Sequence, residues 1–248
     1  MTHKDQPLQE AIEVFVRGFS FTRCFTHPYK VERIEAVWVT RDGPRKRGNY
    51  RVEEWIAYGV SPTEMDRIAR QHTRGRYAIC AFHAAGEPDE PLRAGFKALQ
   101  YRLAGTEPLM VHPLKSIPRI DTVATIERVC TQAMADRLAK AARSRQLLPE
   151  HLTSDGEVRQ YVALIDDQLG GWVKSVVVGD ETYCADMYVV PAFRRQGIAK
   201  AMMCRMLRDD RANGAKRAVL TASHVGAKLY PVVGYKQIAT LFLYTPKK

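Results

Sequence analysis

The stretch Ala185 to Leu207 reads ADMYVVPAFRRQGIAKAMMCRML, and its reading decides the architecture of the second half of the chain. Cys184, Asp186, Tyr188 and Val190 alternate with Ala185, Met187 and Val189, the period of a strand with two unlike faces. Pro191 cannot donate a ladder bond, so the strand is predicted to stop there. Arg194-Arg195-Gln196-Gly197-Ile198-Ala199 follows as a basic turn. Beyond it, Ile198, Met202 and Met206 form one i,i+4 row and Ala199, Met203 and Leu207 another, which makes a helix with a wide apolar face. Asn213-Gly214 is its stop signal. A helix opened by a glycine and a small residue suits an anion. Its first N–H groups have no intrahelical acceptor, and its dipole favours negative charge there. Gly197 lets a ligand approach the backbone, Ala199 keeps the next turn clear, and Arg194, Arg195 and Lys200 add charge.

Arg194-x-x-Gly197-x-Ala199 after a strand resembles the Q/R-x-x-G-x-G/A motif of the GNAT superfamily of N-acetyltransferases. Farther on, Leu220-Thr-Ala-Ser223 and then Ala227-Lys-Leu229-Tyr230-Pro-Val-Val-Gly234-Tyr235 resemble that family's A-x-x-L-Y-x-x-x-G-F/Y pattern, with one residue fewer between the alanine and the leucine. The resemblance covers about the last half of the chain. It implies an α/β fold with a mixed sheet, the acyl-CoA N-acyltransferase fold.

The whole chain has 248 residues, enough for one large domain or two small ones. A hydrophobic content of 46% marks a folded protein rather than a disordered one. The net charge of +11 points to an anionic partner, which a nucleotide with several phosphates would satisfy in part and RNA, DNA or an acidic protein would also satisfy. A basic surface that keeps the protein in solution is the plainer reading. Cys24, Cys80, Cys130, Cys184 and Cys204 are scattered and odd in number, which suggests neither a zinc site nor a disulfide framework. His27, His72, His83 and His112 follow no metal-ligand spacing, so no metal is expected. The polar start MTHKDQ has no signal-peptide core, and no apolar run is long enough to span a membrane. The expectation is a cytoplasmic enzyme.

In the first half, Leu8, Ile12, Phe15 and Phe19 predict a helix over about residues 7–21. Arg33–Thr40 and Tyr50–Val60 read as strands joined by a long loop with the basic tip Arg45-Lys46-Arg47, which either touches phosphates or is a solvated hairpin tip. Ser61-Pro62-Thr63-Glu64 is a helix start, with Ser61 as cap and Pro62 in the first position. Arg76–His83 is a strand, Pro91 opens a helix, and Leu109–His112 is a strand. Phe96 to Val111 resembles Tyr230 to Leu243, an internal repeat that suggests two tandem GNAT-like domains with the first degenerate. No counterpart of the Arg/Gly turn stands between Val60 and the Ser61 helix, so the first half is expected to bind no acyl donor. The other reading is an unrelated α+β extension. Pro113, Pro118 and Asp121 punctuate a linker, and the domains are drawn at 1–117 and 118–248.

In the second half, Ile126–Val129 reads as a strand and Met134, Leu138 and Ala141 as a helix. Arg159–Ile165 and Gly171–Val178 form a hairpin, Lys216–Ala222 a strand, Lys228–Val233 a short helix and Tyr235–Thr245 a final strand or bent pair.

The resemblance also implies roles. Met187, Tyr188 and Val189 match the strand whose main chain pairs with the pantetheine arm of acetyl-CoA and faces the thioester carbonyl, an oxyanion-type arrangement. Arg194, Arg195, Gln196, Gly197, Ile198, Ala199 and Lys200 match the pyrophosphate loop. Ser223 stands where relatives often carry an Asn near the pantetheine. Tyr230 matches the tyrosine that protonates the departing thiolate. A phenol near pKa 10 and a thiol near 8.5 make hydrogen-bond stabilisation as plausible as full transfer, and a purely packing role for Tyr230 is the alternative. Asp186, His224 and a water chain are open as the path for the amine's proton. The implied reaction is direct transfer of acetyl from acetyl-CoA to a primary amine of a small molecule or peptide, in a ternary complex. A non-catalytic acyl-CoA sensor and a nucleic-acid-associated module are the competing classes.

Overall fold

The computed structural model describes residues 6–25, 29–43, 50–153, 156–224 and 226–247. The basic tip Arg45–Arg47 and His27 lie outside the described residues. Packing divides the chain into two units: Met1–Met110 with Thr221–His224 and Gln237–Lys248, and Val111–Leu220 with Val225–Lys236. The fold is mixed α/β, and no helix among the described residues is long and apolar enough to cross a membrane.

The first unit begins with α1 (Gln6–Arg23), whose Leu8, Ile12 and Phe15 are buried as their spacing predicts. The expected single strand over Arg33–Thr40 is a hairpin of β1 (Tyr29–Ile34) and β2 (Val37–Asp42), in register from Tyr29↔Asp42 to Ile34↔Val37. The chain reverses at Glu35, a non-glycine residue at φ +54, and Arg67 holds the Glu35 carboxylate from outside. The strand expected over Tyr50–Val60 is shorter, β3 (Glu53–Tyr58), and leads into α2 (Pro62–His72) and β4 (Tyr77–Ala84). α3 (Glu90–Ala98) follows, and β5 (Tyr101–His112) begins eight residues before the expected Leu109.

The last strand of the chain, β11 (Lys236–Pro246), pairs antiparallel with β4 from Ala239↔Ala84 to Tyr244↔Ile79. The sheet order in this unit is β1-β2-β3-β4-β11-β5. Pairing with β4 is why Gln237–Lys248 is grouped with the first unit, whereas a boundary at 117/118 assigns it to the second. One face of this sheet carries Trp55, Ile79, Ala81 and Phe242 and is covered by Met65 and Ile68 of α2 and Phe96 of α3. The other face is met by α1, with Phe15 edge-on to Phe82 at 5.4 Å.

The second unit contains β6 (Thr125–Arg128), α4 (Gln132–Ala142), β7 (Val158–Ile165), β8 (Gln168–Val178), β9 (Glu181–Val189), α5 (Ile198–Ala212) and β10 (Arg217–Thr221). The strand order is β10-β9-β8-β7-β6. The predicted β7–β8 hairpin is present, turning at Asp166 and Asp167, both at positive φ. The short helix expected over Lys228–Val233 is instead two 3-10 turns, Gly226–Lys228 and Tyr230–Val233; Pro231 and Gly234 leave too little room for a longer one.

α5 is fastened to the sheet by more than its methionines. Asp210 is fully buried and accepts bonds from Arg159 Nη2 at 2.8 Å, Ser175 Oγ at 2.8 Å and Thr182 Oγ1 at 3.0 Å. Burial raises the Asp210 carboxyl above its usual range, and Arg159 and the two hydroxyls work against that rise. The irregular segment before β6 is tied to the same helix, with Arg208 Nη1 donating to Pro118 O at 3.1 Å and Arg211 Nη1 to Lys115 O at 3.3 Å.

Candidate active site

β9 and β10 run parallel and pair at Arg217↔Glu181, Ala218↔Thr182 and Val219↔Tyr183. The pairing stops there, but β9 continues to Val189. Its far half therefore leaves main-chain groups without a β10 partner, beside the start of α5.

The divergence has a local cause. Against β8, the register runs from Val178↔Glu181 to Lys174↔Ala185 and resumes at Trp172↔Tyr188. Two β9 residues, Asp186 and Met187, thus oppose Val173 alone, a bulge that bends the strand. Asp186 carries it at φ +54, a conformation that costs a non-glycine residue roughly 1–3 kcal/mol. Lys174 holds it: its Nζ lies 2.9 Å from Asp186 Oδ2 and donates to Gln146 O at 3.2 Å. Lys174 is 1% exposed, while the Asp186 side chain is half exposed. Burial lowers the pKa of the lysine and Asp186 opposes that shift. Gly171 makes the close approach possible, since a Cβ there would sit 2.7 Å from Tyr188 O and 2.9 Å from Met202 Cε.

After β9, Val190 N–H donates to Gly170 O at 2.9 Å, and a 3-10 turn over Pro191–Phe193 leads into the basic loop. Arg194 folds back, its Nε donating to Val189 O at 3.0 Å and its guanidinium 5.7 Å from the Tyr188 ring centre. Tyr188 in turn stacks on Trp172 at 4.6 Å. Arg195 at φ +67 and Gly197 at φ +77 turn the chain into α5. The first helical bond is Ala201 N–H to Gly197 O, at 3.0 Å. The N–H groups of Ile198, Ala199 and Lys200 therefore have no intrahelical acceptor. Among the described residues no side chain caps this end, and the first turn contains no acid. Among the described residues Arg194, Arg195 and Lys200 form no ion pair. Cations around the positive end of a helix are unfavourable unless an anion joins them. The space also fits such a group, since the nearest atom to a Cβ at Gly197 would be Asp121 O at 3.7 Å.

Tyr230 opens its 3-10 turn, 7% exposed, with its ring 5.7 Å from that of Tyr235. Gly234 at φ +106 closes the turn over His112, whose Nε2 is 3.0 Å from Val233 O; an added Cβ at Gly234 would meet that nitrogen at 2.6 Å. Leu114 N–H donates to His112 Nδ1 at 2.9 Å, so the imidazole is held neutral with its proton on Nε2, and burial lowers its pKa. Burial lifts the Tyr230 hydroxyl above the ordinary phenol range, with smaller contributions from Cys184 and Tyr183. Tyr183 is the last β9 residue paired with β10, and Cys184 follows it. Cys184 is itself buried and pushed up, which leaves it a thiol.

Of the sequence-predicted residues, Met187, Tyr188, Val189, the Arg194–Lys200 loop and Tyr230 lie in the second unit. Ser223 and His224 are grouped with the first. There Ala222 N–H donates to Pro108 O at 3.0 Å, Ser223 is exposed, and His224 Nε2 lies 3.2 Å from Thr106 Oγ1. Sequence reasoning missed Lys174 and Asp210. The available signal was a charge in the middle of an apolar strand, GWVKSVVV, and an acid among the apolar rows of α5.

Residues 156–237 match the family model described as "Acetyltransferase (GNAT) domain". The C-terminal half carries a GNAT domain. Solved structures extend the likeness of fold over nearly the whole chain. A GCN5-related N-acetyltransferase from Kribbella flavida is 15% identical, with 96% of each chain covered and a TM-score of 0.64. A putative acetyltransferase of the GNAT family from Novosphingobium aromaticivorans is 13% identical, covering 96% of this chain and 99% of its own, with a TM-score of 0.54. A tandem GNAT protein from the clavulanic acid biosynthesis pathway is 13% identical, covering 97% of each chain, with a TM-score of 0.51. At these identities the likeness is one of fold. No curated protein matches the sequence.

Proposed function

We propose that the second unit transfers acetyl from acetyl-CoA to a primary amine, directly and within a ternary complex. The observation that carries this reading is the fork: β9 runs on past its last β10 partner beside a helix end with free N–H groups. Acetyl-CoA supplies an activated thioester. The residues that would hold it are Met187, Tyr188 and Val189 along the open edge and Arg194–Lys200 at the diphosphate. Main-chain N–H groups of the bulged strand would polarise the thioester carbonyl.

The Tyr230 hydroxyl stays protonated at neutral pH because burial raises its pKa. Handing its proton to a thiolate whose acid lies near 8.5 is uphill by at least about 2 kcal/mol. Tyr230 therefore acts here as a hydrogen-bond donor that stabilises the leaving thiolate, the final proton coming from the amine. Asp186 is suited to hold an ammonium through its remaining oxygen, since Lys174 pairs with the other. We retain the cytoplasmic setting and the tandem, degenerate origin of the first half as parts of this reading.

The test is an amine-class screen for CoA release, run on wild type and Tyr230→Phe. We expect at least one amine class to accelerate release, and Tyr230→Phe to lower kcat about 100-fold with CoA affinity unchanged. Tight CoA binding with no turnover on any amine would make the protein a sensor. Nucleic-acid binding with a steep salt dependence and no CoA binding would make it a nucleic-acid module.

A further inference from the structure

A cavity built entirely from first-unit residues contains none of the residues assigned above to acetyl transfer. It measures about 370 Å³ and lies on the α1 face of the sheet. That volume is within the range of ordinary small-molecule sites, about 300–1,000 Å³. It exists because β5 is underfilled where α1 crosses: Ala104 and Gly105 stand opposite large side chains, and a Cβ at Gly105 would touch nothing within 4 Å. Phe15 and Phe19, stacked at 5.3 Å, form one wall, and Ile56, Leu241 and Leu243 form the floor.

The polar groups at its rim are unequal. Arg23 Nη1 reaches both oxygens of Glu54 at 3.4 Å and its guanidinium lies 3.9 Å from the Phe19 ring centre, so its charge is already matched. Glu54 Oε2 also accepts from Thr40 Oγ1 at 3.1 Å and from the Tyr29 hydroxyl at 3.4 Å. Glu107, which lines the same cavity, forms no hydrogen bond or ion pair with a described residue. Among the described residues the cavity is therefore apolar inside with one unmatched carboxylate. The buried Cys80 thiol in the floor senses that charge, for its pKa is raised first by burial and then by Glu54 and Glu107.

We propose that this cavity binds an organic primary ammonium with an aryl or alkyl body, its cation on Glu107 and its body between Phe15, Phe19 and Leu243. The proposal is independent of the acetyl-transfer reading, and each can fail without the other.

The test is calorimetric titration of the full chain with 3-phenylpropylamine, 3-phenylpropanol and 3-phenylpropanoate. Saturable binding of the amine is expected. The alcohol should bind about tenfold more weakly, the scale of one hydrogen bond to a charged group, and the carboxylate should not bind. Glu107→Gln should remove the preference of amine over alcohol, and Leu243→Trp, which fills the cavity, should abolish both. Glu107 is exposed, so its variant folds and decides the matter even if Leu243→Trp does not. Absence of amine binding overturns the proposal, as does equal binding of the carboxylate or an unchanged preference in Glu107→Gln. Loss of amine binding in Asp186→Asn with retention in Leu243→Trp also overturns it, by moving the site to the second unit.

Discussion

Each unit contains a strand, a helix and a second strand parallel to the first: β3-α2-β4 in one and β9-α5-β10 in the other. They share a topology and differ in what they leave open. β3 and β4 pair through six consecutive positions, from Glu53↔Tyr77 to Tyr58↔Phe82. β9 and β10 pair through three and then part. The start of α2 is consumed by its own residues: Ser61 Oγ accepts from Glu64 N–H at 3.2 Å, Pro62 has no N–H to offer, and Glu64 supplies negative charge. A cleft of about 620 Å³ does open over the ends of β3 and β4, but the helix faces it with the Pro62 ring. α5 begins with Gly197, no cap, no acid and a lysine in its first turn. The same crossover is thus either self-satisfied or left with exposed donors, and only the second form has capacity for a polyanion.

This contrast can be attacked experimentally. The largest effect should come from Asp210→Ala, which leaves the buried Arg159 guanidinium without its carboxylate. Removing one partner of a buried pair costs about 3–5 kcal/mol, read as a fall in stability by urea unfolding. A loss below about 1 kcal/mol would mean that α5 is held by its apolar contacts alone. Next comes Gly197→Asp, which sets a negative charge at the open end of α5. CoA affinity should drop at least about 100-fold, the scale of one or two lost charged hydrogen bonds, while the fold survives because Asp tolerates the left-handed region. Retained affinity would place the donor elsewhere.

Ser61→Ala is the converse. It should cost about 1 kcal/mol of stability and create no CoA binding in a Gly197→Asp background; binding gained there would erase the distinction between the two crossovers. The smallest effect concerns acid. His112 and His151 are both buried in the second unit with lowered pKa values. The unfolded chain then takes up protons first as pH falls below about 6.5, so stability decreases through that window and levels off below the folded-state values. The urea midpoint should be lower at pH 5.5 than at pH 7.5, and His112→Gln should flatten part of that slope.

What the residues announced in advance was local and periodic. The two i,i+4 rows of α5, the Gly197 turn, the β7–β8 hairpin and the Ser61 cap each rest on near neighbours in sequence, and each is where its spacing puts it. What escaped was signalled by no special residue. Glu35 turns a hairpin and Asp186 carries a bulge, both at positive φ without a glycine. Their geometry is held by Arg67 and Lys174, partners 32 and 12 positions away in sequence that no window reveals. Asp210 reads as one more charge in Arg-Asp-Asp-Arg until Arg159, Ser175 and Thr182 converge on it. The placement of β11 beside β4 is a pairing across some 160 residues, decided by a slot rather than by its own sequence.

That slot governs how the molecule comes into being. On the ribosome, β4 and β5 are complete once His112 has emerged, with the gap between them unfilled. The strand that fills it, Lys236–Pro246, is synthesised about 120 residues after β5 ends. Until it arrives, the nascent sheet carries a ragged edge that invites other strands, so chaperone shelter during translation and slow closure once β11 emerges are consequences of where Lys236–Pro246 lies.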